Sequence, residues 1–102
     1  MLSYLASPYN HPNESVMSYR AAKVCEVAGS LIGRGIFVFS PIAHNVAILA
    51  NSALKPGWDT WSSFDMEMLS RCDRLLVLML EGWEASKGLK AEIQAAVSKG
   101  IP

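Results

Sequence analysis

Two carboxylates interrupt the apolar pattern of this chain in ways that invite chemistry. Asp65 lies in a helical segment whose apolar positions are Trp61, Phe64, Met68 and Cys72, with Leu69 at the edge. At about 100° per residue, Asp65 falls inside that sector and Glu67 falls on the opposite face. A carboxylate in an apolar stripe is costly unless it is paired, protonated or opened to a pocket. Burial raises its pKa, which suits a general acid. The alternative is an Asp that caps a neighbouring loop through hydrogen bonds. Glu92 stands three residues after Leu89 and four before Ala96, at the border of a stripe made by Leu89, Ile93, Ala96 and Val97. It sits in the N-terminal half of its helix, where the dipole modestly favours the ionised form. Facing a crevice, Glu92 would do the chemistry; otherwise it is an ordinary boundary glutamate.

Loops supply the remaining candidates. Tyr4, Ser7, Pro8 and Tyr9 belong to the end of a first strand and the loop after it. Small residues and free amides in such a loop can hold a phosphate or a sugar, although a tight surface loop looks the same. Ser40, Pro41 and His44 occupy the matching loop after a second strand. His44 is either a ligand contact or a capping and packing residue. His11, before Pro12, is expected in solvent. Asp73 is expected to bond backbone amides at a strand entrance. The chain has no G-x-G-x-x-G, Walker loop or G-x-S-x-G elbow, and its two histidines are far apart. Dinucleotide, P-loop and zinc sites are therefore not expected.

The elements that must position these groups follow a strand–helix rhythm. Residues 73–80, Asp-Arg-Leu-Leu-Val-Leu-Met-Leu, read as one fully buried central parallel strand. The turn Glu81–Gly88 and a helix from about Ser86 to Lys99 follow it, with Gly100 ending the helix. In open parallel sheets ligands sit beyond the carboxyl ends of the strands, so residues 81–92 should line the crevice. Upstream, residues 1–6 read as the first strand. Asn13 caps a helix over 14–32, which Gly33 and Gly35 end, and Ile36–Phe39 form a second strand. Strand–helix–strand in this span predicts a right-handed βαβ unit. Residues 42–54 contain a short helix, and another starts near Asp59 or Thr60 and runs to Cys72. Ile101-Pro102 reads as the opening of one more strand, so the final strand is expected to be short or missing.

The totals set outer bounds. The 102 residues make a single domain, 1–102, with nine basic and nine acidic side chains and no net charge. Nothing here steers the chain to a nucleic-acid polymer or to a membrane surface. No apolar run approaches the roughly 20 residues that span a bilayer, and no signal peptide opens the chain, so a cytoplasmic protein is expected. Cys25 and Cys72 read as reduced core or boundary thiols. Hydrophobic residues make up 51% of the chain, an excess that suggests a face covered by another subunit.

Several short motifs in order carry a family resemblance. Tyr-Leu-Ala-Ser-Pro-Tyr (4–9), Asp65 ahead of the Cys72-Asp73 pair, the apolar strand, and Ser86-x-Gly88-x-x-x-Glu92-Ile-x-x-Ala resemble the nucleoside 2-deoxyribosyltransferase superfamily. Within it the chain looks most like the uncharacterised DUF1937 family. The resemblance implies a flavodoxin-like or Rossmann-like α/β fold, a three-layer sandwich on a parallel sheet. It implies cleavage or transfer at the N-glycosidic bond of a nucleoside or nucleotide, with no cofactor or metal, by a homo-oligomer. By the same resemblance Glu92 is the nucleophile, Asp65 protonates the leaving base, and Tyr4 helps hold the nucleophile or sugar. Where the superfamily commonly has a sugar-binding Asp six residues before the catalytic Glu, this chain has Ser86. Trp83, in the Glu-Gly-Trp insertion, either stacks on a base or covers the core. The alternative expectation is a non-catalytic sensor of a nucleotide-like ligand on the same fold.

Overall fold

The computed structural model describes residues 1–102, Trp58 by its backbone alone. The elements run β1 (Leu2–Ala6), α1 (Glu14–Gly33), β2 (Phe37–Phe39), α2 (Pro41–Ala50), α3 (Trp58–Ser70), β3 (Arg74–Val77), a 3₁₀ turn (Trp83–Ala85) and α4 (Lys87–Ser98). The strands form one parallel sheet in the order β2-β1-β3. Tyr4 stands opposite Phe39 on one side and Leu75 on the other. This order reverses between β1 and β3, the arrangement from which flavodoxin-like sheets are built. The fold is the expected α/β sandwich.

The pleat of β1 divides the core in two. Tyr4 and Ala6 pack with Leu69 and Cys72 from the α3 end and with Leu89 and Ala96 of α4. Leu5 points the other way, onto Val24 and Ala28 of α1. Successive strand residues alternate between faces, so one short strand seeds both layers. α2 packs on α1 and β1, and Ile42 joins the α1-side cluster. Asn13 caps α1 as expected, its side chain accepting from Ser15 N at 2.9 Å. After Gly33, Gly35 takes a φ of 80°, and Ile36 N donates back to Leu31 O. Asp73 ties the strand entrances together. Its carboxylate accepts from Leu2 N at 2.6 Å, and its own N–H donates to Leu2 O at 2.7 Å.

The structure departs from several expectations. The central strand is β1, not residues 73–80; β3 is half-buried along its length and flanks β1. Apolar residues on both faces of a strand report cover by helices above and below, not neighbours at both edges. The strand also ends at Val77, because β1 offers no partner beyond Ala6 except the Ala6 carbonyl for Leu78 N, and Met79 is 65% exposed. On α4 the buried positions are Leu89, Glu92 and Ala96, while Val97 is 74% exposed. Glu92 can lie inward because it has a buried partner, and that turns Val97 to solvent. On α3, Leu69 is the fully buried centre and Phe64 sits outside, for the stripe is rotated toward Asp65. Cys25 is exposed on α1, whereas Cys72 is buried.

Residues 101–102 form no strand, although Leu75 N of β3 donates to Pro102 O at 2.8 Å. Among the described residues no helix is long and apolar enough to cross a membrane.

Candidate active site

Parallel strands deliver all their following loops to one end of the sheet, and a cavity of about 470 Å³ opens there. Ser7, Tyr9 and Asn10 reach it from the loop after β1. Asn45 of α2 and Asp65 of α3 line another side, and Ser86, Gly88 and Glu92 come from the start of α4. The cavity therefore brings together both carboxylates that interrupt the apolar pattern.

Glu92 is 5% exposed, and the hydroxyl of Tyr4 donates to its Oε2. Tyr4 is fully buried at the middle of β1, the central strand, so the sheet itself anchors the glutamate. Burial pushes the Glu92 pKa up to about 7 from an ordinary 4.5. The Tyr4 hydrogen bond opposes that rise by favouring the carboxylate, and the nearby Asp65 charge adds to it. The Tyr4 phenol is itself raised, by burial first and then by the adjacent glutamate.

Asp65 is 6% exposed. Asn45 Nδ2 donates to its Oδ1 at 3.0 Å. With that amide nitrogen committed, Asn45 Oδ1 faces His44 Nδ1 at 2.8 Å, and the imidazole must be the donor there. His44 in turn stacks on Phe64, ring centres 5.2 Å apart and planes 11° from parallel. It works on Asp65 through Asn45 and does not line the cavity. Burial raises the Asp65 pKa, while the Asn45 bond and the His44 charge pull the other way.

Two polar atoms on cavity residues are buried without a partner among the described residues, Ser7 Oγ and Trp61 Nε1. Buried polar groups are nearly always satisfied, so each such atom needs an explanation. Both belong to residues that line the cavity, which makes a polar ligand one candidate partner. Ile42, Val46 and Leu49 of α2 supply an apolar wall beside Trp61, suited to a flat, partly apolar group.

The other expected contacts lie elsewhere. Pro8 is fully buried behind the loop, and Ser40 caps α2 by accepting from Ala43 N at 3.1 Å. Trp83 packs on the α3–α4 core instead of stacking in the cavity. Ser86 caps α4, accepting from Leu89 N at 3.3 Å, while also lining the cavity. Sequence reasoning missed Asn45, although an Asn inside the apolar run 41–50 is the same kind of signal as Asp65. It read Trp61 as core, and it passed over Asn10 and Lys87, which no pattern marks.

Residues 2–102 match the family described as Domain of unknown function (DUF1937). The chain belongs to the DUF1937 family. The match spans every element from β1 to α4, so the whole cavity is made from the DUF1937 domain. Among curated proteins none matches the chain.

Proposed function

We propose that this DUF1937 domain breaks the N-glycosidic bond of a nucleoside or nucleotide, passing the sugar to water or to a second base. The observation that carries the reading is the convergence of Asp65 and Glu92, both buried, from separate helices onto one cavity. The resemblance of its motifs to those of nucleoside 2-deoxyribosyltransferases supports it.

Glu92 Oε2 is held by Tyr4, which leaves Oε1 to attack the anomeric carbon of the sugar. The carbon–nitrogen bond breaks, and its electron pair goes to the base nitrogen. Asp65 gives that nitrogen a proton, so the base leaves neutral. The sugar is then an ester on Glu92. Water or an acceptor base attacks the anomeric carbon, Asp65 takes up its proton, and Glu92 leaves as a carboxylate. The first step needs Glu92 ionised and Asp65 protonated, and the second regenerates both. Burial favours the protonated Asp65, and the Tyr4 hydrogen bond favours the ionised Glu92. The apolar wall and Trp61 would face the base, with Ser7 and the α4 start facing the sugar.

The test is incubation with a panel of nucleosides and 5′-monophosphates, with release of free base followed by chromatography. Release by the natural chain, and its loss in a folded Glu92→Gln variant, is the expected outcome. Full activity in Glu92→Gln would refute the mechanism.

One feature favours a second reading, a non-catalytic sensor of a nucleotide-like ligand. Ser86, at the position of the superfamily's sugar-binding aspartate, spends its hydroxyl on capping α4. Tight binding of a nucleotide without base release across the panel would favour the sensor.

A further inference from the structure

A second cavity, of about 580 Å³, lies next to the first and shares Asn10, Ala85 and Ser86 with it. Arg20 of α1 lines it and is only 7% exposed. The guanidinium makes three hydrogen bonds, all to backbone carbonyls: Nη1 to Tyr9 O at 3.3 Å and Asn10 O at 3.0 Å, Nη2 to Glu81 O at 3.0 Å. Among the described residues no carboxylate pairs with it; the ion pairs are Lys23–Glu26 and Arg71–Glu67. Buried charges are normally paired, and three carbonyls leave two of the five guanidinium N–H groups without a partner among the described residues.

The surroundings are shaped around this cation. Gly82 has a φ of 86°, and a Cβ there would sit 2.8 Å from Arg20 Nη2. The backbone conformation favours glycine, and a larger residue there would displace the end of the Arg20 side chain. His11 also lines the cavity, and its Nδ1 accepts from Asn13 N at 3.0 Å, which leaves Nε2 as the proton-bearing nitrogen. The one carboxylate residue on the described lining is Glu81, whose side chain is exposed.

We infer that the second cavity is an oxyanion site, phosphate in class, with Arg20 as its counter-charge. Arg20 holds the loops after β1 and β3 together through the three carbonyls and offers its remaining N–H groups to the anion. The inference does not depend on bond cleavage in the first cavity. The oxyanion is either free phosphate or the phosphate of a ligand that reaches across Ser86 from the first cavity.

The experiment is a titration of the full chain with inorganic phosphate, read by the shift in Tm and by ¹⁵N–¹H spectra that include the arginine Nε–H signals. Phosphate should raise Tm saturably and move the Arg20 Nε–H and Gly82 amide signals. Arg20→Gln should weaken binding roughly ten- to a hundredfold, while Lys87→Gln, at the first cavity, should leave it unchanged. If Arg20→Gln does not fold, the natural chain's spectrum decides alone. No saturable binding, shifts confined to the residues around Lys87, or equal affinity in Arg20→Gln would overturn the inference. Parallel titrations with a nucleoside and its 5′-monophosphate separate the two sources. An affinity gain for the monophosphate that Arg20→Gln abolishes assigns the oxyanion to a ligand; no gain assigns the site to free phosphate. These readouts record binding only, so they stand whether or not base is released.

Discussion

Glu92 is pulled in two directions. Its buried place favours the neutral acid, and the Tyr4 hydroxyl favours the carboxylate. The balance lies near pH 7, so Glu92 changes charge within the neutral range. This has a consequence for stability. The folded pKa is raised above the unfolded one, so the native state binds more protons between about pH 4.5 and 7. Stability from this group is complete below pH 4.5 and falls as pH rises to 7, by about 3 kcal/mol. Urea denaturation across pH should show a larger decline in the natural chain than in Glu92→Gln, where the raised Asp65 still contributes. Tyr4→Phe removes the influence that lowers the pKa, so the decline should extend to higher pH. The two acids were legible in the sequence because each broke a helical apolar stripe. Asn45 obeys the same rule inside α2. Trp61 did not stand out, because an aromatic in a stripe looks the same whether it faces a core or a cavity. Ser7 was suspected from its loop, but its unbonded hydroxyl is a property of packing alone.

At the scale of elements, α4 matters most, since its first turn lines the cavity and its second carries Glu92. Ser86 is its N-cap, and the Oγ–Leu89 N bond satisfies an amide that the helix cannot. Ser86→Ala should cost about 1 kcal/mol. In thermal unfolding that lowers Tm by roughly 4–8 °C for a domain of this size. An unchanged Tm would mean that the cap contributes nothing. The order of strands and helices could be read from the chain because each has its own periodicity and stop signals, from Asn13 and Gly33 to Ser40 and Gly100. The pairing order could not. Residues 74–80 are the most apolar run, yet the hydrogen-bonding centre is β1, whose Ser3 and Tyr4 dilute the signal. Hydropathy measures what lies above and below a strand, and pairing order depends on what lies beside it.

For the whole molecule, the parallel sheet explains why distant residues meet. Every strand ends at the same edge, so loops at residues 7–13, 40–45 and 78–92 share one opening although they are far apart in sequence. The apolar excess of the composition is partly on the surface, at Phe37, Met79, Ile32 and Val97, each well over a third exposed. The first cavity is polar at the start of α4 and apolar along α2, a division that matches a sugar joined to a base. We propose that such a sugar passes through Glu92 as an ester. A nucleoside carrying fluorine at the sugar 2-position slows hydrolysis of that ester and lets it accumulate. After reaction with a nucleoside of this kind that the chain cleaves, the protein is quenched, digested and weighed by mass spectrometry. A mass increase equal to the fluorosugar is expected on the peptide containing Glu92 and absent in Glu92→Gln. Stoichiometric base release with the sugar attached to another residue, or with no adduct at Glu92, would contradict it.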